Sequence, residues 1–342
     1  MKRQREAWVD AAKGIAIVFV VLGHVVASYQ NVGLLTDAAT FSYLHAFAYS
    51  FHMPLFFVLS GYVEAKHSGS GSKLRRMGHK VLSLGIPYLV FSVVTWGMKF
   101  FMSSLVNTPA NLSDLLGIPL YPILYLWFLY ALLLMSLIHI LCEKWLGSGF
   151  GAVLGVAVAF GLRYLLLRTG FLGRAGLSGT VFESTLNYGI WYFAGVACAG
   201  FLKEWKTGPL WKMMTAVALA GYGVLVWANA QAKHYHDGRV LLMNAAGVAL
   251  FICIAMCLKK SKLLAYLGKN SLSIYLLHEM VLAAVRILFT RLGVPLLGGV
   301  VPVFVVGTLG IAIPLLCYWV CCRIRILDFC FYPGKYLKKR NS

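Results

Sequence analysis

The chain has 342 residues, 60% of them hydrophobic and only 12% charged, with a formal net charge of +20. So few charges cannot clothe a soluble domain of this length, and apolar runs of about 20 residues recur throughout, as membrane-spanning helices require. The basic excess would suggest nucleic acid in a soluble protein, but here it clusters in alternate connections between apolar runs, so no nucleic-acid partner is expected.

Hydropathy predicts an all-α, polytopic transmembrane helix bundle of about ten spans, at roughly 8–28, 42–64, 81–105, 120–141, 150–168, 186–202, 210–230, 240–258, 268–289 and 298–322. It reads as one domain over 1–342, with a short basic tail from about 323. The first run is too long and too decorated for a removable leader and is expected to remain as the first span. Most Lys and Arg fall in one set of connections, around Lys2, Lys73, Lys144, Lys203, Lys259 and the tail. The other set holds few, among them Arg163, Arg168 and Arg174. That asymmetry places both termini in the cytoplasm.

The first span contains KGIAIVFVVLGH, with ten residues between Lys13 and His24. At about 100° per residue, eleven steps return both side chains to nearly one face, about 16 Å apart. Asp10, three residues before Lys13, is placed to pair with it or to fix the tautomer of a histidine. The second span, FHMPLFFVLSGYV, carries His52 near its middle and Glu64 at its inner end, where water is within reach. Ser60 and Gly61 in this span suit close helix packing. The stretch KHSGSGS at 66–72 reads as a flexible polar loop. The basic segment KLRRMGHK at 73–80 continues it and offers Lys73, Arg75, Arg76 and Lys80.

Lys99 in the third span can snorkel. In the fourth span, Tyr125 and Trp127 read first as an interfacial aromatic belt, with sugar stacking by Trp127 as the alternative. His139 lies near that span's inner end. Positions 169–185 are Gly-rich and read as an outer loop. The motif HYHD at 234–237 offers an HxH pair but reads as a solvated loop. The ninth span, NSLSIYLLHE, carries His278 and Glu279. The tail YPGKYLKKRNS is expected at the lipid surface, facing anionic headgroups. All eight cysteines fall on the cytoplasmic side of this scheme, where thiols stay reduced, and Cys253 and Cys257 read as small apolar fillers.

Ionisable residues inside a membrane are costly and mark function. His24, His52 and His278 lie at overlapping depths. An imidazole, with an unperturbed pKa of about 6.5, is suited to take a proton from a hydroxyl as it attacks an acyl carbon. Glu279 is the acid expected to orient such a base.

The stretches VDAAKGIAIVFVVLGH, FHMPLFFVLSGYV, the basic segment ending IPYLVF, LWFLYALLL and NSLSIYLLHEMV occur in this order. Together they resemble the acyltransferase-3 family of membrane O-acyltransferases, which includes fucose O-acetylase-like and exopolysaccharide-decorating enzymes. The resemblance covers roughly residues 5–325. It implies an acetyl-CoA or other acyl-CoA donor, no tightly bound cofactor and no metal. The implied acceptor is a sugar hydroxyl of a surface or exported glycan, free or lipid-linked. Membrane lipid and other glycan-synthesis proteins are the expected partners, and the bacterial cytoplasmic (inner) membrane the expected location.

In that family a basic residue, commonly Arg, precedes an essential His in the first span; here Lys13 stands in the Arg place and His24 matches. The resemblance implies His24 as general base, with His52, His278 and Glu279 around it. Lys13, Lys73, Arg75, Arg76 and Lys80 are implied for the CoA phosphates, and Asp10 and Trp127 for substrate. The rival reading is a secondary transporter or a flippase of a lipid-linked sugar, which inverted repeats and broken helices would favour. A non-enzymatic subunit of a glycan-synthesis complex is a third.

Overall fold

A computed structural model describes residues 6–31, 38–69, 71–104, 108–146, 149–204, 209–231, 238–292 and 300–336. Among them the protein is all-α. The helices are α1 (Ala7–Asn31), α2 (Ala38–Tyr49), α3 (His52–Ala65), α4 (Lys73–Lys80), α5 (Ile86–Phe101), α6 (Leu112–Gly117), α7 (Trp127–Leu146), α8 (Gly149–Arg168) and α9 (Phe171–Arg174). They continue with α10 (Val181–Ala197), α11 (Ala199–Glu204), α12 (Pro209–Gln231), α13 (Gly238–Cys257), α14 (Lys262–Lys269), α15 (Ser271–Arg291), α16 (Val300–Cys321) and α17 (Arg325–Phe331). Helix occupies each of the ten expected spans, but only 8 stretches among the described residues are both long and apolar enough to cross a membrane. The fifth expected span is the shorter apolar helix Phe150–Leu166. The sixth is divided between α10 and α11.

Three expectations about local structure are corrected. The second span is not continuous: α2 ends at Tyr49 and α3 begins at His52. Pro54 is the cause, because its ring lacks an N–H and clashes with the carbonyl four residues back, that of Ser50. Asn244 of α13, with its amide turned so that the nitrogen faces the carbonyls, donates to the freed Ser50 oxygen at 2.7 Å. The Ser50 hydroxyl meets Tyr222 Oη of α12 at 2.5 Å. Side chains thus satisfy the break inside the apolar layer, as lipid demands.

The basic segment 73–80 is likewise not a loop. It is helix α4, running through a π-turn at Val81–Gly85 into α5. Pro87 follows that turn and cannot donate to the preceding ladder, which gives the wider turn a local cause. Positions 169–185, expected as loop, contain α9 and the start of α10.

The chain divides into two compact units, residues 1–56 with 205–319 and residues 57–204 with 320–342. In the first, α1 packs against α2, α13, α14 and α15. Small and β-branched residues, from Ala11, Ala12 and Ala16 to Val20, Val21 and Val25, bury it on most sides. It crosses α14 with the backbones nearly touching: a Cβ on Gly14 would collide with the Leu264 carbonyl, and one on Gly268 with the Asp10 carbonyl. In the second unit α10 packs on α7 and α8, and α4 on α7. A reciprocal crossing recurs there, since Gly61 of α3 faces the Tyr192 carbonyl and Gly195 of α10 faces the Val58 carbonyl. All eight cysteines are free thiols.

Candidate functional site

In the first unit, α1 and α15 bring His24 and Glu279 together: His24 Nδ1–H donates to Glu279 Oε1. Their side chains are 23% and 29% exposed, so the pair is neither sealed nor free in solvent. His278 is fully buried, with its ring centroid 5.0 Å from that of His24, edge to face. Its Nδ1 donates to the Tyr275 carbonyl at 2.7 Å. His52 is buried at the start of α3 and its Nδ1 donates to the Ala48 carbonyl at 2.5 Å, across the break before that helix.

These bonds have one chemical consequence. A carbonyl or carboxylate accepts only from N–H, so in each neutral ring the proton sits on Nδ1 and the lone pair on Nε2. His24, oriented by a carboxylate and part-exposed, therefore has the arrangement of a general base. His24, His278 and Glu279 each also offer a ligand atom within 4.8 Å of the others. Such a donor set suits a divalent ion, but the direct His24–Glu279 bond is a proton-transfer geometry.

Two neighbours were missed. His45 stacks on Tyr49 at 4.2 Å, and Tyr49 stands edge-on to His52 at 4.9 Å and to His24 at 6.1 Å. The signal was present, since His45 falls inside the same expected span as His52. Further along the two helices, Arg286 of α15 reaches Ser28 Oγ of α1 at 3.4 Å. Lys13 lies part-buried on α1 and Asp10 is buried one turn before it.

The remaining predicted residues belong to the second unit. Arg76 bonds Glu64 Oε1 at 3.1 Å and also pairs with Glu143, while Lys80 pairs with Glu64 Oε2 at 2.5 Å. Glu64 therefore does not simply reach water; it is buried between two cations. Lys73 is 4.0 Å from Glu143 and donates to the Leu141 carbonyl at 3.3 Å, and Arg75 is exposed. Glu143 was the missed member of this cluster. His139, fully buried, meets Ser68 Oγ through Nε2 at 3.0 Å.

Trp127 is part-exposed, stacks on Tyr188 at 4.9 Å and lies 6.2 Å from Phe57, whereas Tyr125 is buried and so does not belong to a lipid-facing belt. The HYHD motif and residues 337–342 of the tail lie outside the described residues.

Residues 6–319 match the acyltransferase-3 family, described as an acyltransferase domain. The chain belongs to this family. It is also similar to the nodulation protein NolL of Mesorhizobium japonicum, 34% identical over 137 residues, which is 37% of this chain and 33% of that protein. A second similar protein is the nodulation protein NolL of Sinorhizobium fredii, 35% identical over 121 residues, or 30% and 32% of the two chains. The chain thus matches about a third of the length of these curated relatives. No solved structure matches it.

Proposed function

We propose that this protein is a membrane O-acyltransferase that moves an acetyl or similar short acyl group from acyl-CoA to a sugar hydroxyl of a surface or exported glycan. The observation that carries the reading is the His24–Glu279 pair, set between spans of a chain from an acyltransferase family. The acceptor hydroxyl gives its proton to His24 Nε2 while its oxygen bonds to the thioester carbonyl carbon. The C–S bond then breaks, and His24 returns the proton to the departing thiolate. Glu279 keeps Nδ1 protonated and steadies the imidazolium that forms in between. His278 and His52 hold their lone pairs on Nε2 in the same unit and line the polar interior around the base.

The donor's nucleotide end is polyanionic and meets basic side chains at the cytoplasmic ends of the helices. Within α4, exposed Arg75 and Lys73, which is about half exposed and only 4.0 Å from Glu143, are the cations disposed to bind CoA phosphates, because Arg76 and Lys80 are held more closely by Glu64 and Glu143. Lys13 holds the donor lower on the His24 helix, and Asp10 and Trp127 serve as substrate contacts. On this reading the protein works in the bacterial cytoplasmic membrane with both termini inside, as the distribution of Lys and Arg supports.

The test is acetyl transfer from radiolabelled acetyl-CoA by purified protein in lipid, against a panel of free and lipid-linked glycans. Wild type should label a glycan, and Glu279→Gln should label it about 10- to 100-fold more slowly with donor binding retained. Neither labelling nor acetyl-CoA binding by wild type would overturn the reading in favour of a transporter.

A further inference from the structure

The acyl-transfer chemistry leaves an arginine within an apolar helix unused. Arg163 lies within the apolar stretch Phe150–Leu166 of α8, between Leu162 and Tyr164. Its Nε is buried and has no hydrogen-bond partner among the described residues. No carboxylate among them forms an ion pair with it, and the acid at this end of α10, Glu183, accepts from the Gly179 N–H at 2.6 Å. An arginine near a helix end can snorkel to water, and Arg163 is part-exposed, but its Nε stays closed off inside the protein. A buried N–H left unmatched is costly, and no described residue supplies a partner for this one.

The surroundings indicate the partner's chemistry. Where α8 packs on α10, Gly189 lies against Ala159, one turn before Arg163. Tyr188 precedes Gly189 at this crossing, on the side of α10 that meets the Arg163 turn. Tyr188 in turn stacks with Trp127 and Phe57. A planar fork of N–H donors matches phosphate or carboxylate oxygens, and aromatic faces with few placed polar groups are the lining of a small-ligand site.

We propose that Arg163, beside the Tyr188–Trp127 pair, is the recognition point for an oxyanion, a phosphate or carboxylate, on the acceptor glycan. That this ligand is the acceptor rests on the acyl-transfer reading above. The same oxygens could come from a phospholipid headgroup, and the experiment separates the two sources.

The full chain in phosphatidylcholine nanodiscs is titrated with farnesyl-diphosphate N-acetylglucosamine, farnesyl glucuronide and the neutral farnesyl N-acetylglucosaminide. Wild type should bind at least one anionic probe about tenfold or more tighter than the neutral one, the size expected of a charge-assisted bond. Arg163→Gln should erase that preference at an unchanged affinity for the neutral probe, and Arg163→Lys should keep part of it. A preference that survives Arg163→Gln overturns the proposal. So does wild type with no preference for either anionic probe, a result that needs no variant to fold. Loss of the preference when phosphatidylglycerol replaces phosphatidylcholine would make the bilayer headgroup the occupant and overturn the acceptor assignment. Binding requires no turnover, so a protein that selects anionic probes yet transfers no acetyl group sinks the enzyme reading, and the acceptor assignment with it, and leaves only the oxyanion site at Arg163 standing.

Discussion

Two carboxylates organise the two units of this molecule, and they are used in opposite ways. Glu279 holds one histidine, and the pair stays about a quarter exposed. Glu64 is 5% exposed and is shared by two permanent cations, one of which also holds Glu143. Both clusters answer the same problem, a charge inside an apolar chain. A carboxylate with two fixed cations is neutralised whatever happens around it, so it serves as a lock between helices. A carboxylate with one imidazole has a partner whose proton can leave, and a route by which a substrate can reach it. If His24 is the base proposed above, exposure and titratability of the partner, more than the presence of a charge, separate the reactive cluster from the structural one.

Breaking the reactive cluster should have the largest effect. His24→Ala should lower acetyl transfer by about 10²- to 10⁴-fold, the range of a general base. The thermal midpoint in lipid should hardly change, because the removed ring is part-exposed. Equal transfer by the variant would remove His24 from the chemistry and turn attention to His52 or His278. Breaking the lock should do the reverse. Glu64→Gln leaves Arg76 and Lys80 facing a neutral amide in a buried site, and removing one partner of a buried pair costs about 3–5 kcal/mol. A melt in lipid should therefore drop sharply, while the molecules that remain folded keep their transfer rate. An unshifted melt would show that water reaches Arg76 and Lys80 well enough to replace the carboxylate.

What the sequence made legible follows the same divide. The parts of the His24 site could be read because each is an ionisable residue standing out within an apolar run, a lysine and a histidine eleven residues apart on one helix and a histidine beside a glutamate on another, although their pairing across the chain comes from packing. The lock could not, since Glu64 meets Arg76 twelve positions on and Glu143 on a further helix. Such pairings are products of packing alone. KLRRMGHK was read as loop because it is polar, yet hydropathy measures solvent preference and not helicity, and an amphipathic turn of helix looks the same on that scale. The break at Ser50–Phe51 was hidden inside an unbroken apolar run, although Pro54 marks it once the carbonyl four residues back is considered. The all-α class and the membrane setting needed only composition.

The glycine crossings sharpen the comparison, because one sits beneath each cluster. Gly195→Ala would push a methyl into the Val58 carbonyl, where α3 passes α10 on its way to Glu64. Overpacking of this kind costs about 1–3 kcal/mol and should appear as a lower melt. Gly14→Ala would press on the Leu264 carbonyl at the crossing of α1, the helix that carries His24. Its cost in stability should be similar, but it should also slow transfer, because it tilts the helix that aims the base. Equal transfer by Gly14→Ala and wild type, at a lowered melt, would mean that α1 gives at the crossing without moving His24.

The smallest effect should come at a third acid, Asp328, which is buried like Glu64 but whose cation partner is exposed. Lys335 Nζ is 2.9 Å from Asp328 Oδ1 and its side chain is 51% exposed. Tyr336 Oη donates to the other carboxylate oxygen at 2.9 Å. Solvent screens such a cation, and Asp328 keeps the tyrosine bond when Lys335 is removed, so Lys335→Ala should cost no more than about 1 kcal/mol. Raising the salt concentration should shrink even that difference, whereas the deficit of Glu64→Gln should persist, because salt reaches an exposed pair and not a buried one. If Lys335→Ala proved as costly as Glu64→Gln, burial would not be what distinguishes the lock, and the contrast between the clusters would have to rest on titratability alone.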